Sequence, residues 1–340
     1  MPSPGLLILG FPPLLLLLVP WLVEPYALWD PAVLNVREGA EGRTTRWCNM
    51  GWWKETEDFS EAAESLAKKL LELASDAGYE GGGSVLDIGH GSGESLLVHL
   101  SQPNPPSHLH ALTSLASDTQ SSKSLVESEH PKTASAVQYF TYSAEFRPGK
   151  DVGHPLDPMR GFLGEQSSQR FFNTDEDEDE DLLPHQEDQP PTTGPPPYDL
   201  VYILDSAYHY PPSLSTFLSS LRPVLRETSL IVYTDILPPS NLPLWQAYIL
   251  SYLLSVPTPN LADRPASLGA YKAELEGQGW VDVVVEDWTE GVLPGLSGNL
   301  RKRGGAWSLV GSVLNRATGA GWRFVGVRAR KGTQGTPRVA

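Results

Sequence analysis

The feature that most constrains this chain is a short apolar run that contains an acid and leads into three alternating glycines. The run is SVLDIG (84–89), and the segment continues as HGSGES with Gly91 and Gly93. Glycine has no Cβ, so it admits positive φ angles and lets a ligand approach the backbone closely. The segment ESLLVHL (94–100) follows and is typical of a helix, whose first N–H groups favour anionic or carboxylate groups. The pattern therefore predicts a strand, a ligand-binding turn and a helix.

Strand-like and helix-like segments alternate along most of the rest of the chain. The strands are predicted at 108–115, 136–142, 198–204, 229–236, 280–288 and 322–329, and the helices at 60–77, 213–225, 243–255 and 268–279. This alternation is typical of an open, mostly parallel α/β sheet with helices on both faces. In such sheets ligands bind beyond the carboxyl ends of the strands. We therefore expect the site in the loops after residues 88, 113, 143 and 204.

The glycine turn departs from two other nucleotide-binding patterns. A dinucleotide fingerprint needs G-x-G-x-x-G, but the third glycine comes one place early and Glu94 stands in its slot. A Walker-A loop is excluded because no Gly-Lys-Ser/Thr follows. The single cysteine, Cys48, excludes an intrachain disulfide and a multi-cysteine zinc site. An acidic run in a disordered loop lacks fixed ligand geometry, so we predict no metal site.

Charge excludes a general nucleic-acid binder. The chain has 41 acidic and 25 basic side chains, a net charge of −16, whereas neutralising phosphates needs a surplus of Lys and Arg. Nine of the acids lie between 175 and 188, close to a PPTTGPPP run. Such segments bury too little apolar surface to fold. We therefore predict a disordered acidic insertion at about 147–197.

The N-terminal region contains an uncharged apolar run of 18 residues, 6–23. As a helix it would be about 27 Å long, marginal for a hydrocarbon core of about 30 Å. Pro12, Pro13 and Pro20 weaken a helix here. We expect a membrane segment over 1–24, with a signal peptide and a buried or disordered start as alternatives. Basic residues appear only after the run, which predicts a membrane-associated chain whose catalytic domain faces the cytosol, and otherwise a cytoplasmic one.

The glycine turn resembles motif I of class I S-adenosylmethionine-dependent methyltransferases, in which an acid and G-x-G-x-G follow the first strand. Four further segments resemble this family: NMGWW (49–53), YDLVYILDSAYHY (198–210), LRPVLRETSLIVYTDI (221–236) and AYKAELEGQGWVDVVVEDWT (270–289). The first is similar to a segment of the small-molecule and lipid methyltransferases, and the others to the regions around the fourth, fifth and sixth strands. The resemblance covers most of 47–330. It implies a Rossmann-like, seven-stranded-type sheet, S-adenosylmethionine as cofactor, and a small, apolar or lipid-like methyl acceptor.

The resemblance also implies which residues form the site. The candidate cofactor residues are Asp87, Gly89, His90, Gly91, Gly93, Thr113, Ser114 and Trp52. The candidate acceptor residues are Asp205, Tyr208 and Trp53, and His209 is the candidate general base for a hydroxyl acceptor. Each has a structural alternative: a histidine at a strand exit is often only hydrogen-bonded, and the two tryptophans can pack the N-terminal segment onto the sheet.

Two features of the family pattern are missing. The acid at the end of the second strand is replaced by Thr113 and Ser114, and the Gly-Asp pair after the third strand by Tyr142, Ser143 and Ala144. These losses weaken the expected grip on the cofactor, so the alternative is a catalytically inactive S-adenosylmethionine-binding or scaffold protein. A protein methyltransferase is disfavoured because no Asn-Pro-Pro-Tyr-type motif follows the fourth strand.

The domain organisation follows from these segments. It comprises a hydrophobic segment (1–24), a cap and helix (25–83), a methyltransferase domain (84–330) and a tail (331–340). Two further segments need an interpretation. The apolar stretch 242–256 is expected to pack in the core, with a substrate lid or a membrane contact as alternatives. The basic residues 301–303 are expected in a solvated, glycine-flanked loop, with a contact to an acidic substrate or a lipid headgroup as the alternative.

Overall fold

The structure is a computed structural model. It describes residues 34–35, 45–151, 153–157, 198–265 and 267–332. The apolar run 6–23 and most of the acidic insertion therefore lie outside the described residues. Within the described ranges, no helix is long and apolar enough to cross a membrane.

One seven-stranded sheet forms the centre of the described part of the chain. Its strands are β1 (Ser84–Ile88), β2 (His108–Thr113), β3 (Val137–Thr141), β4 (Tyr198–Ile203), β5 (Leu225–Leu237), β6 (Trp280–Asp287) and β7 (Arg323–Lys331). The order across the sheet is β3-β2-β1-β4-β5-β7-β6. Strands β1 to β5 are parallel, and β7 is antiparallel to both β5 and β6. The predicted open, mostly parallel α/β sheet is confirmed. Because β2 and β4 flank β1, the chain diverges beside β1, which is where such sheets have their ligand crevice.

Helices cover both faces of this sheet. They are α1 (Phe59–Ser75), α2 (Glu94–Leu100), α3 (Ala116–Glu129), α4 (Leu214–Leu221), α5 (Leu244–Leu254), α6 (Pro259–Ala262), α7 (Leu268–Gly277), α8 (Thr289–Lys302) and α9 (Gly305–Gly319). Successive strand side chains point to opposite faces. Accordingly Val85 packs with α1, α2 and α8, whereas Leu86 packs with α4 and α7. Burial on both faces explains why these strands are continuous apolar runs.

Helix α1 begins one residue earlier than predicted, and its cap is different. Asp58, not Ser60, caps it, because Asp58 Oδ1 accepts a hydrogen bond of 3.0 Å from Glu61 N. Leu66 and Leu70 are buried as their helical spacing predicts. The helix thus packs on the sheet through the face that the sequence pattern indicated.

Four of the helices in the described ranges were not predicted: α3, the single-turn α6, α8 and α9. Helix α3 buries only Ser122 and Val126, so it has no apolar stripe to recognise. Helix α8 contains Pro294 and also two glycines, Gly291 and Gly295, on which tryptophan rings rest. A Cβ on Gly291 would lie 2.3 Å from Trp52 Cζ3. The close packing of the tryptophan rings thus requires glycine at these positions. Glycine has a low helix propensity, so the sequence does not indicate a helix here.

Residues 301–303 do not form a loop, although Arg301 and Lys302 are exposed to solvent as expected. Arg301 and Lys302 lie in the last turn of α8, and Arg303 is its C-cap. Arg303 Nη2 donates a 2.7 Å hydrogen bond to Leu34 O, and Lys302 Nζ pairs with Glu57 at 2.6 Å. Basic side chains also suit the negative end of a helix dipole. This cluster fastens the N-terminal region to α8.

The predicted insertion at about 147–197 begins with packed residues. His154 is buried, and its Nε2 donates a 2.8 Å hydrogen bond to Ser143 O. Leu156 is fully buried against the β1 and β4 side chains of the α4 and α7 face. Residues 158–197 lie outside the described part, so the remainder of the insertion stays a prediction from sequence.

Candidate functional site

A cavity of about 380 Å³ lies where β1, β2 and β4 end. The residues that line it include Gly89, Gly91, Thr113, Ser114, Asp205 and His209. Sequence reasoning chose all six, from loops far apart in the chain. A larger hollow of about 630 Å³ lies by α1, α2 and the end of α3, and it holds none of the predicted site residues. The carboxyl edge of the sheet is therefore the candidate site.

The first glycine of the turn is required by packing inside the protein. Gly89 has φ +78°, and a Cβ there would lie 2.5 Å from Ser206 Oγ and 2.8 Å from Tyr210 Oη. Tyr210 Oη donates a 2.7 Å hydrogen bond to Ser206 Oγ, which donates one of 3.2 Å to Ile88 O. This chain of hydrogen bonds joins the loop after β4 to the turn after β1. Gly93, the N-cap of α2, is similarly placed against Ser122.

The middle glycine faces open space. Gly91 has φ +54°, lines the cavity, and would have nothing within 4 Å of a Cβ. No neighbour in the described residues explains the missing side chain, in contrast to Gly89. Such a position suits a ligand that approaches the backbone.

Asp87, predicted to bind the cofactor, does not line this cavity. It is fully buried, and Ser95 Oγ donates a 2.7 Å hydrogen bond to its Oδ2. His99 Nε2 lies 3.7 Å from the same oxygen. Burial raises the pKa of Asp87 to about 7 and lowers the pKa of His99 to about 3, so the histidine is neutral and the two form no ion pair. Asp87 therefore joins β1 to α2 beneath the turn.

His90, between the first two glycines, also lies away from the cavity wall. Its side chain is buried, and this burial lowers its pKa to about 4. The histidine is therefore neutral at pH 7 and contributes no charge to the site. Its predicted place at the edge of the cofactor stays a prediction.

Asp205 connects three parts of the site. It follows β4 with φ +53°, an uncommon conformation for a residue with a Cβ. Its Oδ2 accepts a 2.7 Å hydrogen bond from Met50 N, and its Oδ1 accepts one of 2.7 Å from Tyr208 Oη. Burial raises the pKa of Asp205 to about 6, although both hydrogen bonds oppose the shift. Both carboxylate oxygens are thus engaged, and Tyr208 is buried behind Asp205 with its hydroxyl committed to it.

His209 has a defined tautomer. Its Nδ1 lies 3.2 Å from Ser255 O, and a carbonyl oxygen can only accept, so we assign the proton to Nδ1. The lone pair is then on Nε2. Burial lowers the pKa of His209 below its ordinary value, which favours the neutral ring. A neutral imidazole with a free Nε2 lone pair has the form required of a general base.

Trp52 and Trp53 do not line the cavity. The Trp52 ring packs edge-on against Trp288 with centroids 5.9 Å apart, and Lys69 Nζ lies 4.7 Å from its centroid. Trp53 Nε1 donates a 2.7 Å hydrogen bond to Met50 O, and its ring contacts Phe59. This placement favours the alternative in which both tryptophans pack the N-terminal segment.

Sequence reasoning missed one acid at the cavity. Asp118, in the first turn of α3, lines it together with Tyr142 and Ser143. Burial raises the pKa of Asp118 above its ordinary value, although the nearby Arg46 partly opposes this shift. The only sequence signal is an acid five residues after Thr113. Because the pattern did not predict α3, nothing indicated that its first turn faces the site.

The comparisons with known proteins agree with this geometry. No protein-family model and no curated protein matches the chain. A geranyl diphosphate C-methyltransferase from Streptomyces coelicolor A3(2), solved with Mg²⁺, geranyl diphosphate and S-adenosyl-L-homocysteine, matches with a TM-score of 0.56 and 11% identity over 92% of this chain and 98% of that one. A putative sarcosine dimethylglycine methyltransferase from Galdieria sulphuraria matches with 0.56 and 13% over 84% and 93%.

A third solved structure is phosphoethanolamine N-methyltransferase 2 from Haemonchus contortus with S-adenosyl-L-methionine. It matches with a TM-score of 0.52 and 14% identity over 78% of this chain and 53% of that one. At such identities the likeness concerns the fold. The chain therefore has the Rossmann-like fold of class I S-adenosylmethionine-dependent methyltransferases, as its motifs predicted. The three solved structures named above are methyltransferases named for small molecules, whereas a [4+2]-cyclase, SpnF, shares the fold with a TM-score of 0.51 and 12% identity over 84% of this chain and 87% of that one.

Proposed function

We propose that this chain is an S-adenosylmethionine-dependent methyltransferase with a small, apolar or lipid-like acceptor. The observation that carries the proposal is the cavity at the ends of β1, β2 and β4, into which Gly91 presents bare backbone. The alternative is a protein that binds the cofactor but transfers no methyl group. Both proposals require the same cofactor site, but only the enzyme needs a pocket for the methyl acceptor.

The residues present fit the proposed cofactor. Gly91 leaves room for a group against the turn, and the hydroxyls of Thr113 and Ser114 stand at the end of β2. Asp118 supplies a carboxylate to the same wall, five residues beyond the place where the family has its acid. A carboxylate accepts hydrogen bonds from a pair of neighbouring hydroxyls, such as those of a ribose. We therefore assign to Asp118 the role that Thr113 cannot fill.

When bound, S-adenosylmethionine supplies an electrophilic methyl group on a positively charged sulfur. The chain's own task is to orient the acceptor in line with that methyl group and to exclude water. His209 Nε2 accepts the proton that a hydroxyl acceptor releases as the new bond forms. Asp205 positions this loop through Met50 and Tyr208 rather than reacting, since both its oxygens are engaged.

The acceptor class is inferred from the cavity wall and from the neighbours. Apolar side chains of Leu112, Leu115 and Leu204 line the cavity beside the polar residues. The neighbours' names include geranyl diphosphate and phosphoethanolamine, which are acceptors or ligands of those proteins. We also propose that residues 6–23 associate with a membrane and leave the catalytic domain on the cytosolic side; the support for this is their uncharged apolar sequence.

Two matched glycine variants test cofactor binding. Gly91 and Gly78 both have positive φ and open space around a Cβ, but Gly78 lies in the turn after α1, away from the cavity. Asparagine tolerates such backbone well and has a side chain large enough to occupy the space. By calorimetry, Gly91→Asn should weaken S-adenosylmethionine binding at least tenfold, and Gly78→Asn should leave it within twofold. Equal affinities in both variants would refute the site.

A pH profile tests the chemistry. Methyl transfer to a hydroxyl acceptor, followed with labelled cofactor, should rise as His209 loses its proton and then level off, with the midpoint below pH 6.5 because burial lowers this pKa. His209→Gln should remove this limb and retain cofactor binding. Tight binding with no transfer to any acceptor in a broad lipid and small-molecule screen would favour the inactive alternative.

A further inference from the structure

Helix α5 presents an apolar face to solvent. Leu244, Trp245, Tyr248, Ile249 and Tyr252 are each between 52% and 79% exposed. Their spacing places them on one side of a helix. This corrects the expectation that 242–256 packs mainly in the core. Contiguous exposed apolar surface of this kind marks a protein or membrane contact.

Buried contacts hold the inner side of α5 and the helix that follows it. The inner side of α5 packs through Ala247 in a cluster with Tyr208 and Leu261. Asn260, in the helix that follows, donates a 3.0 Å hydrogen bond to Tyr208 O and accepts one of 2.7 Å from Leu214 N. These bonds hold α6, which packs beside α5, while the outer face of α5 remains exposed to solvent.

A second buried contact holds the end of the same segment. Arg264 makes two hydrogen bonds, of 2.7 and 3.0 Å, to the carboxylate of Asp235 on β5. Tyr271 Oη donates a further one of 2.7 Å to that carboxylate. Breaking a buried ion pair of this kind leaves an uncompensated charge. Arg264 thus fixes the end of the segment that follows α5.

The chemistry of the face indicates what covers it. Although the chain has a net charge of −16, the 27 residues 236–262 include no Lys, Arg, Asp or Glu. Three of the exposed side chains are Trp245, Tyr248 and Tyr252, whose rings combine an apolar body with a polar tip. Such side chains prefer the boundary between hydrocarbon and headgroups to a dry protein core. An uncharged patch on an acidic protein also fits a neutral lipid surface better than an anionic one.

The ends of the segment connect this face to the candidate site. Ser255, directly after α5, lines the cavity and accepts the hydrogen bond from His209 Nδ1. Cys48 lines the same cavity, and its neighbour Trp47 is hydrogen-bonded to Asn35. The ten residues between 23 and 34 can span up to about 35 Å. The apolar run 6–23 is therefore close enough along the chain to reach a surface that contacts this edge of the sheet.

We propose that the exposed face of α5 rests on a neutral lipid surface and, with residues 6–23, forms a two-point contact beside the cavity. Two weak apolar contacts together give stable membrane association where one alone is marginal. The contact would let an apolar acceptor pass from the lipid to the cavity beside Ser255. The route and the contact made by residues 6–23 rest on the proposed function, whereas vesicle binding by α5 needs no cofactor and no turnover.

Sedimentation of the full chain with phosphatidylcholine vesicles tests the proposal. The test variant is Tyr248→Glu with Tyr252→Glu, and the control is Leu309→Glu with Val313→Glu, an exposed apolar pair at the same spacing on α9. We expect the α5 variant to lower the vesicle partition coefficient at least tenfold and the α9 variant to change it less than twofold. Phosphatidylserine in the vesicles should weaken binding of the unsubstituted chain.

A second measurement places the helix at the lipid. Brominated phosphatidylcholine should quench a tryptophan signal that Trp245→Phe removes. Unchanged vesicle binding of the α5 variant, or no binding by the full chain, would overturn the proposal. A dimer in solution that the α5 variant dissociates would also overturn it, because the face would then bind a second copy of the chain. The same holds if Trp245 is protected from a soluble quencher and deletion of 1–24 removes that protection, because the face would then bind the chain's own N-terminal segment. Calorimetry with S-adenosylmethionine on the α5 variant separates this failure from failure of the proposed function.

Discussion

The loops after β1 and β2 border the same cavity, but their acids have opposite placements. Asp87 lies beneath the first loop, bonded to Ser95, whereas Asp118 reaches the cavity wall after the second. Only Asp87 belongs to a recognisable motif. The comparison shows that a motif locates a turn well, whereas the acid that lines the cavity depends on where the next helix of the chain begins.

Strand geometry explains the position of Asp87. Alternate residues of a strand face opposite sides, and Leu86 and Ile88 both pack with α4 and α7. Asp87 must therefore face the side of Val85, where α2 lies. The placement of Asp118 has a different cause, since it depends on α3 beginning at Ala116.

The largest effect on the free energy of unfolding is expected from a substitution in the loop after β1. Gly89→Ala places a Cβ 2.5 Å from Ser206 Oγ at φ +78°, and strain plus displacement of that hydroxyl should lower the free energy of unfolding by about 2–4 kcal/mol. Urea denaturation measures this. In the loop after β2, Ser114→Ala at an exposed position should change it by less than about 0.5 kcal/mol. Similar values for the two variants would contradict the requirement for glycine at Gly89, where a Cβ meets Ser206.

The second effect concerns the buried acid and depends on pH. The pKa of Asp87 is about 7 in the folded protein and near 3.8 in the unfolded chain. Below pH 4 the carboxyl is neutral in both states, so ionisation costs nothing. As the pH rises from 4 to 7 the unfolded state loses its proton first, and stability falls progressively.

Asp87→Asn should remove this loss of stability. The variant should gain about 1–3 kcal/mol over the unsubstituted protein at pH 8, and distinctly less at pH 5. Unfolding free energies at the two pH values measure the difference. A gain that does not grow with pH would mean that Asp87 is ionised and well compensated in the folded state.

What the sequence predicts depends on whether an element is determined by a local pattern or by contacts with distant parts of the chain. The central strands are continuous apolar runs, α1 has a clear apolar period, and the glycine turn has a pattern that few other structures require. Helix α3 buries two side chains, and α8 contains Gly291 and Gly295 because Trp52 and Trp53 pack there. The contacts that explain these helices are between distant parts of the chain. For the same reason the sequence pattern brought Gly91 and His209 to the site but not Asp118.

A smaller effect tests the acid at the loop after β2. Asp118→Asn should raise the dissociation constant for S-adenosylmethionine about tenfold, or about 1.4 kcal/mol, because an amide replaces two charged acceptors. Stability should change by less than about 0.5 kcal/mol. Glu127→Gln, which removes the same charge from an exposed place on α3, is the matched control. An equal loss in both variants would indicate general electrostatics rather than a contact.

The smallest effect on cofactor affinity is expected at Trp52, which the resemblance assigned to the cofactor. Its ring lies against Trp288 and Gly291, so Trp52→Leu should lower the melting temperature through lost packing. The same change should leave the dissociation constant for S-adenosylmethionine within twofold, in contrast to Asp118→Asn. Calorimetry at a temperature well below unfolding separates the two quantities. A tenfold loss of affinity with little loss of stability would instead place Trp52 at the sulfonium, and would require the segment 49–53 to move when the cofactor binds.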